Sequence, residues 1–305
     1  MDRDLVKKEM RGIALTAVAP LTKDGEVDDR AIHRIVDFLI ERGINHERGL
    51  LVPLSTTANF VSLSTPEKKQ VARAFIEACK SRIPVAVGCN NTNLRDSIEV
   101  AQYAQRLGAI AIMVSPPFYW KPTEAQVIDH FRQICGSIDI GVIVYNNHWA
   151  TQLDLSVDLI ERLLEFKNIV GLKESTYSIS KLHQISKRLA TFLNIFNGLG
   201  EMYEPMYTQL GCAGFTSTIG NILPGYSASL QDLLAARKFD DAQRLAKQLE
   251  PIASYLDTLT GGQYIPALLH VLNRYGVCEE TVRAPLIPLS PEETEQLDHL
   301  VSVLG

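Results

Sequence analysis

The chain has 305 residues, 46% of them apolar and 21% charged, and its 30 Lys and Arg stand against 35 Asp and Glu for a net charge of −5. That balance excludes a basic nucleic-acid-binding surface as the main feature, and the apolar fraction excludes a disordered chain. No apolar run reaches the ~18 residues of a membrane span, and the first dozen residues, MDRDLVKKEMRG, lack the apolar centre of a secretory signal. The expectation is a folded cytoplasmic protein with neither nucleic acid nor membrane as partner.

Short apolar runs alternate with longer stretches of helical period along the chain. The predicted strands are Ile13–Ala19, Gly49–Leu54, Val85–Cys89, Ala109–Ser115, Gly141–Tyr145, Ile169–Lys173, Asn194–Asn197 and Gly214–Thr218. Each is apolar nearly throughout, the pattern of a parallel strand covered on both faces. A helix is predicted over Ala31–Glu41, where Ile32, Ile35, Val36, Leu39 and Ile40 form one stripe. Thr65 as N-cap with Pro66 behind it opens a second helix to about Lys80. A third, from Asn93 or Leu94 to Leu107, closes at Gly108. Thr123–Cys135, Ser156–Phe166, Ser180–Leu189 and Met202–Leu210 continue the alternation. Past Leu223 only helical patterns follow: Ser227–Arg237, Asp241–Leu259, Gln263–Tyr275 and Pro291–Val303.

Strands each followed by a helix predict a (β/α)8 TIM barrel over residues 1–222, with an appended C-terminal helical bundle over residues 223–305 that includes the eighth barrel helix. No GxGxxG follows an early strand, which argues against a dinucleotide-binding sheet. The five cysteines are scattered, with no CxxC pair, and read as reduced packing residues. The seven histidines form no HxH or HExxH, so no metal site is expected.

Barrel enzymes work where strands end and βα loops begin. The second strand runs into Ser55-Thr56-Thr57-Ala58-Asn59, the fourth into Pro116-Pro117-Phe118-Tyr119-Trp120, and the fifth into Tyr145-Asn146-Asn147-His148-Trp149. Lys173 ends the sixth. Desolvation at the end of an apolar strand favours the neutral amine and lowers its pKa, which is what imine formation with a carbonyl requires. The competing reading is a lysine snorkelling to solvent. Tyr145, ending the neighbouring strand, can relay protons at the same mouth, or simply pack. Thr56 and Thr57 can hold a carboxylate, or serve as a local turn.

Taken together these residues resemble the dihydrodipicolinate synthase/N-acetylneuraminate lyase family. The resemblance is carried by Thr16-Ala17 with Pro20, Asp24-Gly25 with Asp28, Leu63-Ser64 with Glu67, Pro116-Pro117-Phe118-Tyr119, Tyr145-Asn146, Gly171-Leu172-Lys173-Glu174, Gly211 with Gly214 and Asn221, and Arg283-Ala284-Pro285-Leu286. It implies a class I aldolase in which Lys173 forms a Schiff base with a 2-oxo acid, Tyr145 is the phenolic acid/base, and Thr56 is the relay hydroxyl. It also implies that Thr56 and Thr57 grip the carboxylate and that no cofactor is needed beyond the covalent imine. Tyr119 is similar to the tyrosine lent by a neighbouring subunit, so a homo-oligomer, a dimer of dimers, is implied. Asn59, His148, Trp149 and Thr216 complete the expected substrate-binding set, for a small-molecule 2-oxo acid and an aldehyde.

The chain departs from the family in two places. Where the family has a turn with two glycines and a glutamate, this sequence has Ser55, Ala58 and Asn59; loss of glycine restricts the backbone that presents the carboxylate-binding amides. Where dihydrodipicolinate synthases carry an arginine for the aldehyde's carboxylate, this chain has Ala150, and a bidentate contact is lost. The expected function is therefore a Schiff-base lyase, aldolase or dehydratase, on pyruvate plus an aldehyde. Dihydrodipicolinate synthase proper and a non-catalytic 2-oxo-acid-binding barrel are the alternatives.

Overall fold

The computed structural model describes residues 1–304. Its centre is an eight-stranded parallel sheet: β1 (Gly12–Leu15), β2 (Gly49–Leu51), β3 (Ala86–Gly88), β4 (Ala111–Val114), β5 (Gly141–Asn146), β6 (Ile169–Glu174), β7 (Asn194–Asn197) and β8 (Gly214–Ser217). The order β2-β1-β8-β7-β6-β5-β4-β3 closes on itself through a parallel bridge between Leu51 and Val85. This is a (β/α)8 barrel, and every strand residue is buried.

Two apolar compartments follow from the strand alternation. Ala14, Leu50, Met113, Ile143, Val170 and Phe196 fill the barrel interior, whereas a larger set, including Ile13, Leu51, Ile112 and Leu172, packs between strands and helices. Strands approach closely where a side chain would not fit: a Cβ on Gly214 would stand 1.9 Å from the Gly12 carbonyl oxygen.

The bottom of the barrel is closed by a helix that the charged N-terminal sequence does not advertise, Arg3–Glu9. Arg3 donates to the carbonyls of Ile169 and Phe192 at 3.0 and 2.7 Å, and Met10, fully buried behind this helix, plugs the interior. The helix Thr65–Cys79 is capped by Ser64 rather than Thr65, because Glu67 closes a capping box with Ser64. The first strand is shorter than Ile13–Ala19, since past Leu15 the chain turns to bond Asn221, whose Oδ1 accepts from Val18 N. The expected Asp241–Leu259 helix is two helices, Phe239–Gln248 and Glu250–Thr258. Pro251 has no N–H to continue the first and clashes with the carbonyl four residues back, so the chain restarts with the proline in the first turn.

The C-terminal helix Pro291–Leu304 straps the assembly: Tyr255 donates to the Glu293 carbonyl at 2.8 Å and Tyr226 to that of Leu304 at 2.9 Å. Among the described residues no helix is long and apolar enough to cross a membrane. The cysteines are all free, four of them buried, and burial pushes the Cys79 thiol up to about 12.

Candidate active site

Strand register builds the site. Along β5, Ile143 and Tyr145 face the interior. On β6 the pairing runs Val142 with Ile169 and then Ile143 with Gly171, so Val170 is an extra residue. This bulge shifts the alternation by one and sets Tyr145 opposite Lys173; in an unbroken register Tyr145 would face Leu172. Bulges commonly re-aim side chains beside active sites. Lys173 is 5% exposed and its Nζ stands 4.1 Å from the centroid of the Tyr145 ring.

The carboxylate next in sequence does not neutralise this amine. Glu174, one step along the strand, points to the opposite face, where Asn146 Nδ2 donates to both its oxygens at 3.0 and 2.9 Å and Lys181 lies at 3.4 Å. Burial holds the Glu174 carboxyl above its ordinary range despite these partners. Among the described residues Lys173 makes no ion pair.

Three groups converge on the Tyr145 phenol. Thr56 Oγ1 lies 3.5 Å from it, Asn147 Nδ2 donates to it at 2.8 Å, and the Lys173 ammonium lies against the ring. Burial by itself raises the phenol's pKa, but the Lys173 charge and the hydrogen bonds from Thr56, Lys173 and Asn147 outweigh it and hold the phenol below its ordinary value. Thr57 is buried and donates to Thr16 Oγ1 at 3.1 Å, and Thr16 donates to the Ser217 carbonyl at 3.1 Å. Thr216 lies on β8, its Oγ1 donating to the Asn197 carbonyl at 3.1 Å.

The turn after β2 resolves the question of its missing glycines. Thr56–Ala58 is a single 3-10 turn, and the left-handed residues flank it: Leu54 at φ +59° and Asn59 at φ +47°. Ala58 is therefore not the residue on which a positive φ falls, and asparagine tolerates the conformation better than most. Asn59, however, lines a separate small cavity beside Arg283 and Leu286, and the structure does not gather it with Lys173. Tyr119 is also apart from the group within its own chain: it is 70% exposed, at φ +85°, with its ring edge-on to Trp120 at 5.0 Å. His148 and Trp149 lie on a one-turn helix, His148–Thr151, with their rings 4.4 Å apart.

Beyond Thr216 the mouth opens into a cleft of about 460 Å³. Trp149, Tyr177 and Tyr203 form one wall, the helix Glu250–Thr258 another, and Tyr264 its inner corner. The Tyr264 phenol lies beside Thr57 and Tyr145, and burial pushes it above its ordinary value. Sequence patterns did not single out Tyr177, Tyr203, Tyr264 or Asp257, because helices and loops remote in the chain bring them here. Asn147 was visible only as part of an unusual segment after Tyr145.

A closed parallel barrel with a buried, carboxylate-free lysine beside a phenol at the strand ends is the arrangement of a lyase of the aldolase type. Comparison with known proteins agrees. The sequence profile of the dihydrodipicolinate synthetase family matches residues 9–304, and the chain belongs to that family. It is 31% identical over 296 residues to the 4-hydroxy-tetrahydrodipicolinate synthase of Methylobacterium radiotolerans, spanning 96% of this chain and 95% of that one. It is 32% identical over 286 residues to that of Bradyrhizobium diazoefficiens, spanning 93% of each. Among solved structures, the Escherichia coli K12 prophage protein YagE, a family member in complex with pyruvate, superposes with a TM-score of 0.89 at 27% identity, covering 96% of this chain and 98% of that one. The synthase of Methylacidiphilum fumariolicum SolV gives 0.88 at 26% identity, covering 96% and 95%.

Proposed function

We propose that the protein cleaves, or in reverse makes, a 4-hydroxy-2-oxo acid through an imine on Lys173, releasing pyruvate and an aldehyde. The observation that carries this reading is the Lys173 amine, buried at a strand end without a carboxylate and lying against the Tyr145 ring. A relative solved with pyruvate supports the 2-oxo acid.

Lys173 passes a proton to the Tyr145 phenolate and its freed amine adds to the C2 carbonyl; Tyr145 then protonates the carbinolamine hydroxyl, which leaves as water and gives the iminium. Tyr145, held toward its phenolate form, takes the proton of the C4 hydroxyl. The C3–C4 bond breaks, its electron pair flows into the iminium as an enamine, and the aldehyde leaves. Tyr145 returns the proton to C3, and water hydrolyses the resulting imine to pyruvate and free Lys173. Thr56 and Thr57 orient the 2-oxo acid carboxylate, Thr216 sits at the entrance to the cleft, and Trp149, with His148 packed against its ring outside the cleft lining, flanks the aldehyde side. No further cofactor is required by this scheme. Tyr119, exposed on its own chain, serves a neighbouring subunit of a homo-oligomer, a dimer of dimers.

Borohydride reduction in the presence of pyruvate tests the proposal: a mass adduct on Lys173 is expected in the native enzyme and none in Lys173→Ala. Absence of an adduct with any of a panel of 2-oxo acids overturns it. The names of the relatives favour dihydrodipicolinate synthase itself as a second reading, but the partner carboxylate would meet Ala150 where that enzyme uses arginine. Turnover of pyruvate with aspartate semialdehyde decides between them.

A further inference from the structure

We infer that the cleft beyond Thr216 takes an aryl aldehyde that carries no anionic group. This rests on the proposed imine chemistry for its role but on the cleft's own walls for its ligand. One wall is a run of aromatic rings in edge contact, Trp149 to Tyr177 at 5.7 Å and Tyr177 to Tyr203 at 5.6 Å. These rings are 56%, 57% and 38% exposed, an unusual outlay of aromatic surface next to a catalytic mouth, and a planar aryl group can stack or meet them edge-on.

The rest of the lining carries acidic side chains. Glu250 and Asp257 come from the helix Glu250–Thr258, whereas Glu201, at the base between β7 and β8, is buried and turns its carboxyl to the hydroxyls of Ser217 and Ser227. Burial raises the Tyr177 phenol above its ordinary value, with Tyr203 and Asp257 adding to the rise. No lysine, arginine or histidine among the described residues lines the cleft. A carboxylate or phosphate entering here would exchange its water for carboxylates and the negative faces of aromatic rings, with no counter-ion to offset the loss. A hydroxyl or amino group on the far side of the ring would instead find acceptors in Asp257 and Glu250. About 460 Å³ is room for a substituted benzaldehyde with water to spare.

The test uses Lys173→Ala protein, so that binding is read without the imine, and a matched pair of ligands, 4-(hydroxymethyl)benzaldehyde and 4-carboxybenzaldehyde. Calorimetry is expected to show the neutral ligand binding about tenfold or more tighter. Asp257→Lys should erase or invert that preference, and Tyr177→Ala should weaken both ligands. Equal binding, tighter binding of the carboxylate, or a preference that neither substitution moves overturns the inference. So does a Tyr177→Ala protein whose only change is its oligomeric state by ultracentrifugation, which would make the aromatic wall a contact between copies. The borohydride adduct of the native enzyme with pyruvate is scored separately, so failure of the Lys173 assignment and failure of the cleft assignment are distinct results.

Discussion

Asn147 Nδ2 donates a hydrogen bond to the Tyr145 phenolic oxygen at 2.8 Å, both groups being buried. A donor aimed at that oxygen favours the phenolate, and it adds to the Lys173 charge in holding the phenol below its ordinary value. Replacing Asn147 by Leu removes the donor while keeping the bulk. The phenolate is then less stable, its pKa rises, and the acidic limb of the kcat/KM profile moves to higher pH. A hydrogen bond to a charged group is worth about 1.5–3 kcal/mol, so the limb should move by about 1–2 pH units. Asn147→Gln should recover part of the shift. A profile unmoved in Asn147→Leu would show that the amide merely packs.

Tyr145 itself is predicted to be far more costly to lose. Tyr145→Phe keeps the ring against Lys173 but removes the proton carrier, and kcat should fall by about 10²–10⁴-fold. The imine with pyruvate should still be trappable at equilibrium, because the amine and its pocket are intact. Thr56→Val should cost less, since its hydroxyl lies 3.5 Å from the phenol, farther than the Asn147 amide at 2.8 Å. Stopped-flow measurement of imine formation and of steady-state cleavage separates these steps. Tyr145→Phe with unchanged kcat would remove the phenol from the chemistry.

How far these residues could be read from sequence differs by element. The strands were legible because a parallel strand covered on both faces is apolar throughout, and Gly108 ends its helix as expected, in the left-handed conformation at φ +91°. Lys173 at the end of such a strand stood out for the same reason. That Tyr145, ending the neighbouring strand, shares its mouth was legible too; the exact register was not, because the extra residue at Val170 that sets the two opposite each other leaves no mark in composition or period. The cleft was hidden further still. Tyr177 follows β6, Tyr203 follows β7, and Asp257 and Tyr264 come from C-terminal helices, so only the closed barrel brings them together. The N-terminal plug was missed because charged residues dominate its sequence, two of which, Arg3 and Lys7, dock on backbone carbonyls at the barrel's bottom while Val6 and Met10 carry the apolar contact.

Arg283 anchors the C-terminal segment to the rim of the barrel. It donates to the carbonyls of Gly25 and Ser62 and pairs with Glu67. The guanidinium holds the Glu67 carboxyl down at about 2, against an ordinary 4.5, with burial opposing and Ser64 assisting. A carboxyl whose folded pKa is depressed stabilises the fold above pH 4.5, and the contribution is lost as pH falls through about 2. Because the pair is partly open to water, Glu67→Gln should cost about 1 kcal/mol at neutral pH rather than the full linkage value. Urea unfolding at pH 7 and at pH 2.5 checks this: the gap between native and variant should narrow at the lower pH.

Glu204 presents the opposite sign. It is 1% exposed, accepts from Thr208 Oγ1 at 2.7 Å, and leaves its second oxygen buried without a partner. Burial pushes its carboxyl up to about 8, and the nearby Glu201 adds to the rise while Thr208 and Asn197 oppose it. The folded protein therefore keeps a proton that the unfolded chain releases above pH 4.5. Stability is complete below that value and declines with rising pH until the folded carboxyl ionises near 8. The slope across this window is at most about 1.4 kcal/mol per pH unit. Glu204→Gln keeps the shape and can still accept from Thr208, but it has no proton to lose. Its unfolding free energy should be flatter than that of the native protein between pH 5 and pH 8, and it should be the more stable of the two at the upper end. Parallel curves for the two proteins would mean that Glu204 is already ionised in the fold, with its second oxygen solvated.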